Sequence, residues 1–101
     1  MGERISQLQV HTRVIKEYVR RGNLAAIDPM RDLILREAFN QAIRLDEMAK
    51  ELRDKAPTEV IEDIVAHSDF CLDVAEMYEP NSQHYQALME KARANSESGR
   101  S

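Results

Sequence analysis

Residues 57–80, PTEVIEDIVAHSDFCLDVAEMYEP, decide the fold because they have the pattern of one amphipathic helix between two prolines. Apolar residues recur at seven-residue spacing, in the sets 64/71/78 and 61/68/75, and Ser68 is their one polar member. The stretch contains seven acidic residues, no lysine or arginine, and the only cysteine of the chain. It therefore predicts a helix with a broad apolar seam on one side and an acidic face on the other.

The segment before this stretch predicts a long helix from Pro29 to about Lys55, with Asp28 as its N-cap and Leu24–Ile27 as a short apolar connector. Gln41 lies within its main apolar stripe and needs a hydrogen-bond partner if it is buried. That stripe comprises Met30, Ile34, Ala38, Ala42, Leu45, Met48, Ala49 and Leu52. A second apolar stripe follows a flanking face and comprises Leu35, Phe39 and Ile43.

Two further helices complete the predicted fold. Helical periodicity indicates a first helix at about Glu3–Arg21, which Gly22 terminates, and a shorter last helix at about Ser82–Asn95. Brief links join the helices, so we expect an all-α fold, a small antiparallel helical bundle of three main helices plus a shorter C-terminal helix. We assign residues 1–95 to one domain and residues 96–101 to a frayed tail.

Composition and charge restrict the possible functions. The chain has 101 residues and a net charge of −4, yet residues 56–90 contain eight acids and no base. This balance argues against nucleic-acid binding, which needs a basic surface. No apolar run is long enough to cross a bilayer, and no signal-peptide core is present. Because a single cysteine excludes an internal disulfide, we expect a cytoplasmic protein.

The acidic face of the third helix is the first candidate site. Four carboxylates lie within roughly 60° of one another at the helical period: Glu62, Asp69, Asp73 and Glu76. We interpret them as a docking surface for a protein partner with a basic surface, because complementary charge selects partners and speeds association. The alternative is a solvated face that Arg13, Lys16 and Arg20 screen if the first helix lies beside it.

The apolar surface predicted for the first two helices exceeds what one chain of this length can bury. The residues concerned are Leu35, Phe39 and Ile43 on the second helix and Val10, Val14 and Tyr18 on the first. A symmetric homodimer would cover them, and the exposed part of the second stripe would also supply apolar contact to a partner. The alternative is that the fourth helix folds back over this patch.

A metal site is a further interpretation of the third helix. Asp63, His67 and Cys71 are spaced by four residues, and their side chains are competent ligands for zinc or a redox metal. His11, Glu37 and Gln41 could supply further ligands from neighbouring helices. No established metal motif supports this spacing, and a buried cysteine is usually a packing residue. We therefore expect no cofactor and keep a transition metal as the alternative.

Enzymatic motifs are absent from the sequence. There is no glycine-rich phosphate loop, and Cys71 lies in the apolar seam among carboxylates, which would raise its pKa and disfavour a nucleophilic role. Arg36, Glu37 and Arg44 could hold a small anion between helices. We expect a non-enzymatic protein–protein interaction or regulatory module that uses the acidic face and the apolar patch. The alternative is a metal- or small-anion-binding helical bundle, as a cofactor protein or a small enzyme.

Overall fold

The chain is a small all-α bundle. The computed structural model describes residues 2–98, and within this range it contains four helices and no strand. The helices are α1 (Gly2–Arg21), α2 (Leu24–Leu52), α3 (Thr58–Met77) and α4 (Gln83–Ser98). The predicted number, order and approximate lengths of the helices are confirmed.

The start of α2 differs from the prediction. Asp28 is not the N-cap, because the helix begins at Leu24 and Pro29 lies inside it. Proline in a helix interior removes the hydrogen bond to the carbonyl of Ala25 and crowds that group, at a cost of roughly 3 kcal/mol. Ile27 is fully buried in the first turn, which contributes about 1.5–3 kcal/mol and offsets most of this cost. The predicted apolar connector is therefore the first turn of α2.

Two of the turns follow the sequence prediction. Gly22 has a φ of +69°, a conformation that glycine adopts readily, and its N–H donates to the Val19 carbonyl at 3.1 Å. It ends α1 as expected. Ser82 precedes α4, and its hydroxyl oxygen accepts a hydrogen bond from the N–H of Tyr85 at 3.1 Å, so Ser82 is the N-cap of α4.

The long helix α2 is central and packs against α1 and α3. The direction of α3 follows from two hydrogen bonds to α2. Ser68 Oγ donates to the Ala42 carbonyl at 3.3 Å, and the Arg31 guanidinium donates to the Tyr78 carbonyl at 3.5 Å. Residue numbers fall along α2 as they rise along α3, so the two helices are antiparallel.

The last helix packs mainly against α1 rather than against α3. Asn95 Nδ2 donates to the Val19 carbonyl at 2.9 Å, which holds the C-terminal half of α4 beside the end of α1. Residues 96–98 belong to this helix, although we expected the frayed tail to begin at residue 96. The rest of the predicted tail, residues 99–101, lies outside the described range.

The core forms along α2, on the face that its main apolar stripe predicts. Its buried members from α2, from α3 and from the residue directly after α3 are Ile27, Ile34, Ala38, Ala42, Leu45, Ile64, Cys71, Val74, Ala75 and Tyr78. Gln41 and Ser68 are the buried polar residues of the described range. The helices extend over 61 × 24 × 19 Å, with a radius of gyration of 16.5 Å against about 13 Å for an average compact domain of this size. This elongated shape leaves much of α2 and α3 on the surface.

Candidate functional site

The acidic stripe of α3 is open to solvent. Its four members all lie on the side of the helix away from the core, and all are exposed: Glu62, Asp69, Asp73 and Glu76. None of them forms an ion pair with another described residue. The stripe is therefore a row of negative charge that makes no ion pair in this part of the chain.

The first helix does not screen this stripe. Within residues 2–98, α1 packs against α2 and α4 and makes no helix contact with α3. Arg20 and Arg21 instead bind Glu17 on their own helix, and the hydrogen bond from Arg20 lowers the pKa of Glu17 to about 2. Lys16 lines a cavity of about 290 Å³ between α1 and α4, together with Lys91. Arg20 and Lys16, two of the α1 bases expected to screen the stripe, thus lie elsewhere.

Part of the second apolar stripe of α2 is exposed. Phe39 is 43% exposed and Ile43 is 56% exposed, whereas Leu35 packs partly against the core. The fourth helix does not fold back over these residues, because the contacts of Asn95 place it against α1. We therefore find an apolar patch on α2 that one chain leaves open.

Apolar residues of α3 extend this patch. Val65 and Leu72 are exposed, and they lie on the same side of α3 as Ser68, whose hydroxyl is shared between the Ala42 carbonyl and Asp46 Oδ1 at 3.0 Å. By the rise of the helix, Leu72 lies about level with Phe39 across the α2–α3 junction. The exposed face of α2 and α3 thus combines an apolar centre with the acidic stripe.

The predicted metal ligands are only partly assembled. Asp63 Oδ2 lies 3.9 Å from His67 Nδ1, but Cys71 is buried and its thiol points to Gln41 Oε1 at 3.9 Å. Burial raises the pKa of the Cys71 thiol, which disfavours the thiolate that a metal needs. No three His, Cys, Asp or Glu side chains converge anywhere in the described range. Cys71 is accordingly a packing residue.

The predicted anion site is also incomplete. Arg44 and Glu37 line a cavity of about 200 Å³ between α1 and α2, and Arg36 does not. Gln41 also lines this cavity, and its amide donates to Glu37 at 3.5 Å. One arginine beside a carboxylate gives no net positive site for an anion.

Sequence reasoning missed a polar cluster where α2, α3 and α4 meet. The side chain of Arg31 is only 14% exposed, and its guanidinium lies 3.0 Å from Asp32 Oδ1 and 5.2 Å from the centre of the Tyr85 ring. The Tyr85 hydroxyl donates to Asp28, and the Tyr78 carbonyl accepts from Arg31. The spacing of Asp28 and Arg31, one helical turn, was the available signal. Assigning Asp28 as an N-cap concealed it.

The surroundings of Tyr85 in this cluster predict that its hydroxyl loses its proton only at high pH. Burial, and then the bond to Asp28, raise the pKa of Tyr85 from its ordinary value of 10.0 to about 12. Because the folded pKa is the higher one, the stabilisation is complete below pH 10 and is lost as the pH rises towards 12. We expect the tyrosinate absorbance of the native protein to contain a late step that Tyr85→Phe reduces; the rest belongs to Tyr78, whose pKa burial also raises. A late step of unchanged size in that variant would contradict this assignment.

Comparison with models of protein families, with curated proteins and with solved structures gives no match. No helix of residues 2–98 has the length and apolar character to span a membrane. Function must therefore be inferred from the exposed face of α2 and α3 itself.

Proposed function

We propose that this chain is a protein-interaction module whose exposed α2–α3 face binds other protein surfaces. The observation that carries the proposal is the acidic stripe of α3, which is exposed, unpaired within the described range and bordered by exposed apolar side chains. Charge of one sign beside apolar area favours a basic amphipathic partner, because the charges steer association and the apolar contact slows dissociation.

The apolar patch adds a second element to this proposal. Exposed aromatic and aliphatic side chains such as Phe39 and Ile43 are typical of the centre of an interface. We propose that the chain forms a homodimer through this patch and that it acts in the cytoplasm, where its single thiol stays reduced. The role is binding or regulation rather than catalysis.

Defined peptides test the acidic stripe. The probes are two synthetic amphipathic helices with the same apolar residues, one with lysine and one with glutamate on the polar face. We expect the lysine peptide alone to bind in a fluorescence anisotropy titration. Asp69→Lys/Asp73→Lys should weaken this binding at least about tenfold, because it reverses charge at the centre of the stripe. Its melting temperature should stay close to that of the native protein.

A matched variant separates local recognition from overall charge. Glu90→Lys/Glu97→Lys makes the same change in net charge at exposed positions of α4, which packs mainly against α1, so it should keep nearly native binding. Equal losses in both double variants would show that only net charge matters. Failure of the native protein to bind the lysine peptide would overturn the proposal.

A further inference from the structure

A second heptad row runs along the exposed side of α2. Six residues of α2 are spaced alternately by four and three positions, the spacing by which a helix presents one seam to a partner helix. All six are exposed: Asp32, Arg36, Phe39, Ile43, Asp46 and Lys50. The buried apolar stripe of the same helix occupies a different face and already packs against α1 and α3.

The order of charges along this row is self-complementary. An acid and a base, Asp32 and Arg36, precede the apolar centre, and an acid and a base, Asp46 and Lys50, follow it. Two copies of the row can lie antiparallel about a two-fold axis level with residue 41. Each residue of one copy then faces one residue of the other, and the two facing side chains are either oppositely charged or both apolar. Asp32 then faces Lys50 of the second copy, Arg36 faces Asp46, and Phe39 faces Ile43.

We infer that two copies of this chain associate through antiparallel pairing of their α2 helices in this register. The inference deepens the proposed function and rests on its claim that the α2–α3 face binds protein. The occupant is a second copy, because the same row supplies both halves of each pair, as an interface with two-fold symmetry requires.

The surroundings of the row fit this arrangement. Val65 and Leu72 of α3 are exposed beside the apolar centre and widen the contact. Lys50 borders a shallow cavity at the α2–α3 junction and has no ion pair within the described range. Asp32 forms an ion pair with Arg31 of its own helix, but the Asp32 side chain is 64% exposed and remains accessible to a second chain. Both terminal charges of the row are therefore accessible.

Charge reversal at the ends of the row tests the register. The variants are Asp32→Lys and Lys50→Glu, each measured alone and in an equimolar mixture by light scattering and analytical ultracentrifugation. Each variant alone would place like charges opposite each other at both ends, so we expect its dimer dissociation constant to rise at least about tenfold. In a dimer of one copy of each variant, the facing residues at both ends of the row again carry opposite charges. Such mixed dimers should therefore form with nearly native affinity.

Rescue on mixing cannot arise inside one chain, because residues 32 and 50 lie about 27 Å apart along α2. Glu90→Lys and Lys91→Glu are matched controls on α4, and they should leave the native dimer unchanged. A native protein that is monomeric at high concentration would overturn the inference. Dimers that withstand both reversals, or that are not restored on mixing, would overturn the register.

The result also separates this inference from the proposed function. A monomeric native protein that still binds the lysine peptide would refute the second copy as partner and leave the acidic stripe as a binding surface. A native dimer that is weakened by the charge reversals and restored on mixing, but that binds no basic peptide, would support the second copy as partner and refute the acidic stripe as a binding surface.

Discussion

Replacing Gly22 with alanine should lower the free energy of unfolding by about 2–5 kcal/mol. The φ of +69° costs an L-residue roughly 1–2 kcal/mol. In addition, an alanine Cβ would lie 2.6 Å from Ser96 Cα, so the backbone of α4 would have to move, and such overpacking costs roughly 1–3 kcal/mol. For a chain of this length the melting temperature should fall by at least about 10 °C. Urea unfolding followed by circular dichroism measures the loss.

Asparagine at the same position separates the two causes. It tolerates a positive φ but carries the same Cβ, so Gly22→Asn should recover only the part of the loss that comes from backbone strain. Nearly equal losses in the two variants would identify the contact with α4 as the dominant cause. A Gly22→Ala protein as stable as the native one would contradict the close packing of α4 against this turn.

Truncating Ile34 to alanine should cost about 2–5 kcal/mol. Its side chain is 0% exposed and lies in the core stripe of α2, so the truncation leaves a cavity that the rigid neighbours fill only partly. This is a large fraction of the roughly 5–15 kcal/mol that stabilises a typical domain. The measurement is a urea titration at one fixed protein concentration, because dimerisation would add to the apparent stability.

Val10→Ala provides the contrast for this experiment. Val10 is 50% exposed on α1, and a surface truncation of this kind changes stability by less than about 0.5 kcal/mol. The two variants remove similar groups and differ mainly in burial. If Ile34→Ala lost no more stability than Val10→Ala, the assignment of the core would be wrong.

Local periodicity was sufficient to predict most of the fold. The seven-residue sets of α3 depend only on helix geometry, and their members Ile64, Cys71 and Tyr78 are buried as expected. The beginning of α2 was wrong because Asp28–Pro29 is also a common start of a helix. Burial of Ile27 favours a helix that begins before Asp28. Burial depends on contacts with other helices, and the local sequence pattern does not contain those contacts.

The candidate site was predictable only in part, for a related reason. Periodicity placed the four acids of α3 on one face, but screening by α1 depended on which helices are neighbours. The Arg31 cluster needs Asp28 of α2, Tyr78 at the end of α3 and Tyr85 of α4 at one point, and no single helix contains that information. Exposure of Phe39 and Ile43 likewise depended on where α4 packs.

The hydrogen bond from Asn95 to Val19 joins positions 76 residues apart, whereas α1, α2 and α3 pack in chain order. Bringing together the ends of so long a segment costs about 2 kcal/mol more entropy than closing a hairpin of ten residues. The first three helices can pair by short-range closure, so we expect docking of α4 to be the last association during folding. We therefore expect the exposed row of α2 to be complete before α4 docks, which would let two copies pair through it during folding.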